Sequence, residues 1–252
     1  MIVTTAASGD PAEADDLARR FGLRAEPRAG RTLIQVLADA EGPVLVLAAR
    51  RADLYENGRA FRATAGMAAL RLLRARRGEP DPLVAAAALK PGETVLDATL
   101  GLGNDALLAA QATGTNVVGL EVDGVLAAFA QAALTRLPAD PAGRIEIVNA
   151  DHREWLRTQP PRAYDVVLLD PMFRKAGDAG PLFELLRAHA GHAPLDEKTL
   201  HEARRVARRG VLVKDAAPGD ELRRLGLTPR LSRRSAAIAF GWAESLTALP
   251  AG

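Results

Sequence analysis

The 252-residue sequence has no cysteine, little lysine and no long hydrophobic run. Without cysteine the chain can form neither a disulfide bond nor a thiolate metal site. No apolar stretch approaches the roughly 20 residues of a membrane-spanning helix. Residues 1–5 have the pattern of a short strand rather than of a signal peptide. We therefore expect a cytoplasmic protein with no membrane partner.

The basic residues are nearly all arginine and are unevenly distributed. Only four of the 33 basic residues are lysine, and the formal net charge is only +2. Residues 59–77 contain six arginines and no acidic residue. Guanidinium groups pair with phosphates whatever the base sequence, so this segment is a candidate RNA contact. A solvated helix face that links two domains explains the same pattern. The predicted RNA contacts are Arg62, Arg71, Arg74, Arg77, Arg174 and Lys175.

Turn residues divide the chain into three predicted parts. Residues 1–58 predict a small α/β module that ends at Asn57-Gly58, with strands at 2–5, 32–37 and 44–49 and a helix at 11–21. Residues 59–82 predict an arginine-rich linker helix, which Gly78-Glu-Pro-Asp-Pro82 breaks. Residues 83–252 form the remaining domain and are numerous enough to bury a sizeable core.

A glycine-rich turn follows a buried strand at residues 94–105, Thr-Val-Leu-Asp-Ala-Thr-Leu-Gly-Leu-Gly-Asn-Asp. Gly101 and Gly103 let the backbone approach a ligand without a Cβ in the way. Helical residues follow, so the turn lies at the carboxyl end of a strand, where open α/β sheets bind ligands. The next strand ends in Glu121, whose carboxylate can accept both hydroxyls of a ribose. A tight turn followed by a surface acid fits the same pattern, as does a nicotinamide cofactor.

The turn lacks the third glycine of the dinucleotide fingerprint and carries Asp105 on the first helical turn instead. A carboxylate there opposes a pyrophosphate and suits the positively charged methionine end of S-adenosylmethionine. Two later strands end in Asp151, which would face the adenine amino group, and in Asp170. The sequence therefore favours a Rossmann-like α/β sheet that binds S-adenosylmethionine.

The segment Asp170-Pro-Met-Phe173 is the candidate catalytic loop. An exocyclic amine of a nucleobase has a delocalised lone pair, so it attacks a methyl sulfonium only when its N–H groups are held by an acceptor. Asp170 would be that acceptor and a proton relay, Pro171 would fix the loop, and Phe173 would stack on the base. Lys214, near the end of a neighbouring strand, would oppose charge near the acceptor. A structural proline turn and a simple salt bridge of Lys214 are the alternatives.

Residues 97–106 and 169–173 resemble the two signature segments of the J-type small-subunit ribosomal RNA methyltransferases. The similarity runs with gaps from about residue 61 to the end, and Val211-Leu-Val-Lys214 resembles that family's strand ending in lysine. The resemblance implies a seven-stranded class I methyltransferase domain and S-adenosylmethionine as cofactor. It also implies the N2 amine of a guanine as acceptor, with ribosomal RNA or the small ribosomal subunit as partner.

Three positions depart from that family. Its usual arginine in the glycine turn is Asn104, its serine pair is Asp151-His152, and the basic run after the catalytic loop is reduced to Arg174-Lys175. These differences leave the modified nucleotide open. The predicted cofactor-binding residues are Asp97, Gly101, Gly103, Asn104, Asp105, Glu121, Val122, Asp151, His152 and Asp170.

Other functions fit parts of the sequence. The missing third glycine and the Asp-Pro-Met-Phe loop disfavour an NAD-dependent oxidoreductase, while Asp105, Glu121 and Asp170 disfavour an RNA-binding protein with an inactive methyltransferase fold. A different nucleic-acid, protein or small-molecule acceptor would use the same cofactor site. His189 and His192 are spaced as helical metal ligands can be, but no carboxylate completes a zinc site, so we expect no metal. The sequence defines no oligomeric state.

Overall fold

The computed structural model describes residues 1–62, 66–171, 181–189, 194–232 and 236–246. The sequence-predicted positions Phe173, Arg174, Lys175 and His192 lie outside these ranges. The described residues form two β-sheets with helices packed against them, one sheet five-stranded and the other seven-stranded. No helix within these ranges is long and apolar enough to span a membrane. The predicted architecture, a seven-stranded α/β domain with a small N-terminal α/β module, is confirmed.

The first sheet is built by the N-terminal part of the chain. Its strands are β1 (Ile2–Thr5), β2 (Arg24–Ala25), β3 (Val44–Ala48), β4 (Arg51–Glu56) and β5 (Arg59–Arg62), and its helices are α1 (Pro11–Arg20) and α2 (Leu33–Asp39). The strand order is β2-β1-β3-β4-β5, in which β1 pairs in parallel with β2 and β3, and β4 pairs antiparallel with β3 and β5.

Helix α2 occupies the residues for which the sequence predicted a strand. Thr32 and Gln35 form a capping box, in which the Gln35 amide donates to the Thr32 hydroxyl (3.3 Å) and the Thr32 amide donates to the Gln35 side chain (2.8 Å). This exchange satisfies amides that the first helical turn leaves unpaired. Val36 is buried while Ile34 is 79% exposed, although both would share one face of a strand. The strand prediction is wrong because the cap outweighs the apolar composition.

The first sheet also extends past residue 58, where we placed the domain boundary. Asn57 and Gly58 both have positive φ and form the turn of the β4–β5 hairpin, as tight hairpin turns require. Of the predicted linker helix 59–82, only α3 (Gly66–Arg76) is helical before α4 (Pro82–Ala87) begins at its cap, Asp81. Arg59 and Arg62 are therefore strand residues of the first sheet.

The second sheet carries the predicted cofactor site. Its strands are β6 (Val95–Asp97), β7 (Val117–Glu121), β8 (Ile145–Asn149), β9 (Tyr164–Leu169), β10 (Ala207–Ala216), β11 (Arg230–Leu231) and β12 (Ile238–Glu244). The accompanying helices are α5 (Asn104–Thr113), α6 (Gly124–Leu134), α7 (Ala139–Ala142), α8 (His152–Thr158), α9 (Pro181–His189), α10 (Glu197–Val206) and α11 (Asp220–Arg224).

The strand order of the second sheet, β11-β12-β10-β9-β6-β7-β8, creates a switch point between β6 and β9. Strands β8, β7, β6, β9 and β10 are parallel, β12 pairs antiparallel with β10, and β11 pairs antiparallel with β12. The chain proceeds from β6 toward β8 on one side and from β9 toward β10 on the other. Open α/β sheets bind ligands outside the carboxyl ends of the strands at such a reversal.

Close packing places the glycine turn on this edge of the sheet. Leu100 of the turn lies on β7 at Gly119, where an added Cβ would stand 2.5 Å from the Leu100 side chain. The Leu100 amide donates to the Leu120 carbonyl (2.8 Å). Helices α5 and α6 then cover the sheet through buried alanines, whose small side chains let the helix backbones approach closely.

Candidate cofactor and catalytic site

The glycine turn between β6 and α5 has the backbone conformation that its sequence predicts. Gly101 (φ +54°) and Gly103 (φ +77°) both lie in the left-handed region, which side chains with a Cβ rarely adopt. Gly103 is the cap residue of α5, and Asn104 begins that helix with its side chain exposed. The turn therefore presents backbone amides and a helix N-terminus at the switch point.

Glu121, the last residue of β7, is buried beside this turn. Its Oε2 accepts a hydrogen bond from the Gly101 amide (3.1 Å) and its Oε1 accepts one from the Asp123 amide (3.0 Å). Burial raises the pKa of Glu121, and the two amides offset part of that rise. Each carboxylate oxygen keeps a further lone pair, so the pair can accept the two hydroxyls of a ribose.

Asn149 holds the loop that follows Glu121. It is paired in register with Glu121, and its Nδ2 donates to the carbonyls of Glu121 (2.8 Å) and Val122 (2.9 Å). The Val122 side chain is half exposed next to these contacts. Sequence reasoning did not assign Asn149 to the site, although an amide side chain at the end of the neighbouring strand was a usable signal.

Asp151 and His152 follow β8, as the sequence predicted. The Asp151 carboxylate caps α8 by accepting from the Arg153 amide (2.7 Å), and its other oxygen remains open to a further donor. Burial lowers the pKa of His152, so its ring is neutral near pH 7. The Ala150 amide donates to the Glu121 carbonyl (3.1 Å), which keeps this segment beside β7.

A chain of ion pairs crosses the carboxyl edge of the second sheet, the edge at which the parallel strands β6 to β10 have their carboxyl ends. Lys214 Nζ donates to Asp105 Oδ2 (2.6 Å) and to Asp170, so one ammonium joins α5 to the end of β9. Arg71 Nη1 donates to Asp105 Oδ1 (2.9 Å), while its Nε and Nη2 donate to Asp81 (2.9 and 3.0 Å). The salt bridge considered for Lys214 is thus present, and it includes the candidate catalytic Asp170.

In this network, the pKa values of Asp105, Asp170 and Lys214 are shifted from their ordinary ranges. Burial alone would raise the pKa of Asp105, but Lys214 and Arg71 together lower it. Burial raises the pKa of Asp170, and the charge of Asp105 adds to this rise against the opposing effect of Lys214. Burial opposes the charged form of Lys214, yet the two carboxylates raise its pKa. Asp105 therefore stays ionised, while Asp170 is the better proton acceptor.

Asp97 has the least complete set of partners. It is 2% exposed at the end of β6, its Oδ1 accepts from the Thr99 amide (3.2 Å), and its Oδ2 has no partner among the described residues. Burial and the charge of Asp105 raise the pKa of Asp97 to about 7. An oxygen of this kind is open to a hydrogen-bond donor from a bound ligand.

Thr99 connects the ends of β6 and β9. Its amide donates to Asp97, and its hydroxyl accepts from the Asp170 amide (2.6 Å). The candidate catalytic carboxylate is therefore fixed to the same turn that carries the glycines. Pro171 follows it and is partly exposed. Thr99 and Asp81 were not identified from the sequence, because their roles depend on contacts between distant segments.

The arginines predicted to contact RNA occupy different environments. Arg71 is only 24% exposed, and its guanidinium is shared between Asp81 and Asp105, so a phosphate would have to compete with two carboxylates for it. Arg71 as an RNA contact stays a prediction. Arg62 pairs with Asp53 across the first sheet (2.7 Å). Arg74 is 57% exposed and lies 3.9 Å from Glu79, and Arg77 is also exposed.

Comparisons with known proteins agree with this geometry. The chain has the fold of a SAM-dependent methyltransferase, NGO1261 from Neisseria gonorrhoeae (TM-score 0.63, 23% identity, covering 97% of this chain and 96% of that one). It is 32% identical over 237 residues to the uncharacterized protein YpiP of Bacillus subtilis strain 168, covering 90% of this chain and 92% of YpiP.

A further relative is Ribosomal RNA small subunit methyltransferase J of Halorhodospira halophila, 34% identical over 229 residues, covering 82% of this chain and 81% of that protein. The SAM_MT family model, which describes SAM-dependent methyltransferases, matches residues 17–234. The predicted cofactor, S-adenosylmethionine, and the predicted enzyme class are confirmed. The chain belongs to the family of S-adenosylmethionine-dependent methyltransferases.

Proposed function

We propose that this chain methylates the exocyclic N2 amine of a guanine in small-subunit ribosomal RNA, and that it acts in the cytoplasm. The relatives named as ribosomal RNA small subunit methyltransferase J support the substrate. The observation that carries the proposal is Asp170, held at the switch point by the Thr99 hydroxyl and Lys214. An acceptor oriented in this way would hold the amine for attack on the cofactor's methyl group.

The cofactor is held by three features of the carboxyl edge. Glu121 would accept the ribose hydroxyls through its free lone pairs, and the half-exposed Val122 side chain would offer an apolar surface to the adenine. The unpaired Oδ2 of Asp97 would accept from the methionine ammonium. We predicted that role for Asp105, but both Asp105 oxygens are already paired, with Arg71 and Lys214. Asp97 is the better candidate for this contact.

The charge of the edge also selects the cofactor. Asp97 and the ion-pair network contain four carboxylates and only two cations, Arg71 and Lys214. An excess of negative charge attracts a ligand with a sulfonium and an ammonium and repels a pyrophosphate. This arrangement favours S-adenosylmethionine over a nicotinamide dinucleotide for the same pocket.

S-adenosylmethionine supplies a methyl group attached to a positively charged sulfur. Asp170 accepts a hydrogen bond from the guanine amine, which directs the nitrogen lone pair and holds the base in line. As the new N–C bond forms, the bond between the methyl carbon and sulfur breaks and S-adenosylhomocysteine is left; the amine releases a proton and Asp170 takes it. Burial raises the pKa of Asp170, which makes this transfer easier, while Lys214 fixes the orientation of the carboxylate. Pro171 and Phe173 would shape the base pocket.

Exposed arginines in and just after α3 would supply the RNA contacts. Arg74 of α3 and Arg77 just beyond it remain candidates for phosphate binding, since neither is buried in an ion pair. Arg62 is exposed enough to contact RNA but would share its charge with Asp53. Arg174 and Lys175 follow the catalytic loop in sequence and stay predictions.

Mass mapping tests the proposal directly. The purified chain is incubated with S-adenosylmethionine that carries a deuterated methyl group, in parallel with free small-subunit ribosomal RNA and with assembled small subunits. We expect labelled N2-methylguanosine from the wild type and almost none from Asp170→Asn. Label on another nucleoside or on a protein would contradict the guanine-amine assignment, and the two parallel substrates show which form the enzyme uses.

A further inference from the structure

Two carboxylates from separate parts of the molecule meet at the side chain of His189. This histidine is the last residue of α9, and its Nε2 lies 2.9 Å from Glu56 Oε2 at the end of β4. Its Nδ1 lies 2.9 Å from Asp123 Oδ2, in the loop between β7 and α6. The His189 side chain is only 12% exposed. The imidazole therefore bridges the first sheet and the methyltransferase domain.

Asp123 connects this cluster to the cofactor site. Its Oδ1 caps α6 by accepting from the amides of Val125 (2.8 Å) and Leu126 (3.0 Å), which leaves Oδ2 for His189. The Asp123 amide donates to Oε1 of Glu121, the carboxylate that we assign to the ribose. A change in the contact between His189 and Asp123 can therefore alter the hydrogen bond from the Asp123 amide to Glu121 in the proposed cofactor site.

Helix α9 is held a second time by the same hairpin. Arg59 of β5 pairs with Glu184 of α9 (2.6 Å), although both side chains are largely exposed, so this pair adds little by itself. In sequence, α9 follows the candidate catalytic loop that starts at Asp170. The β4–β5 hairpin and Asp123 therefore fix the helix to which that loop leads.

The chemistry of the partners defines the protonation state of His189. A carboxylate oxygen can only accept, so both ring nitrogens must carry a hydrogen to bond Glu56 and Asp123 together. Burial lowers the pKa of His189, but the two carboxylates outweigh it and raise the pKa above its ordinary value. Of the elements packed on α9, α6 has no charged side chain, and β5 contributes Arg59 and Arg62, which pair with Glu184 and Asp53.

We propose that His189 is a positioning residue, whose imidazolium clamps α9 to Glu56 and Asp123 and so holds this helix in a fixed position relative to the ribose carboxylate Glu121. The expected effect on methyl transfer rests on the proposed function, whereas the contacts of His189 with Glu56 and Asp123 do not. When the ring loses a proton, one of the two carboxylates faces a lone pair. The contribution of the clamp to the stability of the fold is therefore fully present below the ordinary pKa of histidine. It is lost as the pH rises through the raised pKa of His189 in the folded protein.

Ring and amide NMR titrations test the clamp without a methyl acceptor. In the wild type we expect His189 to titrate above the ordinary histidine pKa, and the backbone amides of Gly101 and Asp123 to shift with the same midpoint. Glu56→Gln should lower that midpoint. His201→Gln, at an exposed position of α10, is the matched control and should leave it unchanged. A His189 midpoint at or below the ordinary value, or amides that do not follow it, overturns the proposal.

Single-turnover methyl transfer as a function of pH tests the consequence for catalysis. The wild-type rate should fall on the alkaline side with the His189 midpoint, and His189→Gln should remove that limb and lower the rate about 10- to 100-fold near neutral pH. Binding of S-adenosylhomocysteine should change much less than the rate. An unchanged pH profile in His189→Gln overturns the positioning role. A wild type that passes the NMR test but modifies no RNA contradicts only the proposed function.

Discussion

The two sheets place their acidic residues in contrasting electrostatic settings. In the first sheet, the buried Asp53 pairs with both Arg51 (3.1 Å) and Arg62 (2.7 Å). Glu13 of α1 likewise binds Arg136 through two hydrogen bonds (2.7 and 3.0 Å). On the second sheet, carboxylates outnumber the cations at the carboxyl edge, and Asp97 has an oxygen without a partner among the described residues. The paired carboxylates of the first sheet stabilise the fold, whereas the carboxylates at the edge of the second sheet keep acceptor capacity for a ligand.

The largest expected difference between the two settings is in the rate of methyl transfer. Asp170→Asn removes the proposed proton acceptor but keeps the shape, so single-turnover transfer should fall roughly 10²–10⁴-fold while the fold is retained. Asp53→Asn, which disrupts a complete set of partners, should lower thermal stability and leave the rate unchanged. Near wild-type rates from Asp170→Asn would mean that the carboxylate is structural and the chemistry lies elsewhere.

Cofactor affinity should separate Glu121 from a matched glutamate outside the edge. Glu121→Ala removes hydrogen bonds to a charged acceptor and should weaken S-adenosylhomocysteine binding by about 1.5–3 kcal/mol. Glu13→Ala breaks the pair with Arg136 and should lower the free energy of unfolding without changing the dissociation constant. Calorimetry of both variants checks this, and an equal drop in affinity for both would remove the distinction between the two sheets.

The unpaired Asp97 should make cofactor binding depend on pH. Its pKa is about 7 in the folded protein, and the methionine ammonium binds the ionised carboxylate, so affinity should rise as the pH rises through that value. Between about pH 6 and pH 8 the gain should be about tenfold, accompanied by proton release. Calorimetry in buffers of different ionisation enthalpy measures the proton, and Asp97→Asn should lose both effects. A pH-independent wild type would assign the ammonium to another partner.

The smallest expected effect concerns the exposed arginines. Replacing Arg74 and Arg77 with alanine should make the plot of log K for RNA binding against log salt concentration less steep. The slope should change by roughly 0.7–0.9 for each phosphate that the variant no longer neutralises, and cofactor binding should be unchanged. Arg157→Ala is the matched control, because this exposed arginine lies in the last turn of α8, a helix that begins at the carboxyl edge and runs away from it. An unaltered slope in the double variant would leave the end of α3 as a connection between the sheets.

Local patterns predicted much of the fold and the places that several candidate site residues occupy in it. The glycine turn, the positions of Glu121 and Asp170 at strand ends, and the seven-stranded sheet follow from strand periodicity and turn chemistry. The α2 region was predicted wrongly because the Thr32–Gln35 capping box was not recognised. Arg71 was expected on the surface, since its partner Asp105 lies 34 positions away. Long-range pairings of this kind, including that of Glu56 with His189, leave no local signal in the sequence.

Above all, we propose that the carboxyl edge of the second sheet binds S-adenosylmethionine through its incompletely paired carboxylates. Titration calorimetry of the wild-type chain with S-adenosylmethionine, S-adenosylhomocysteine and NAD tests it most directly. We expect both sulfur compounds to bind in the micromolar range or tighter, a free energy of about −8 kcal/mol or better, and NAD to give no measurable heat. Binding of NAD without a response to either sulfur compound would contradict the account.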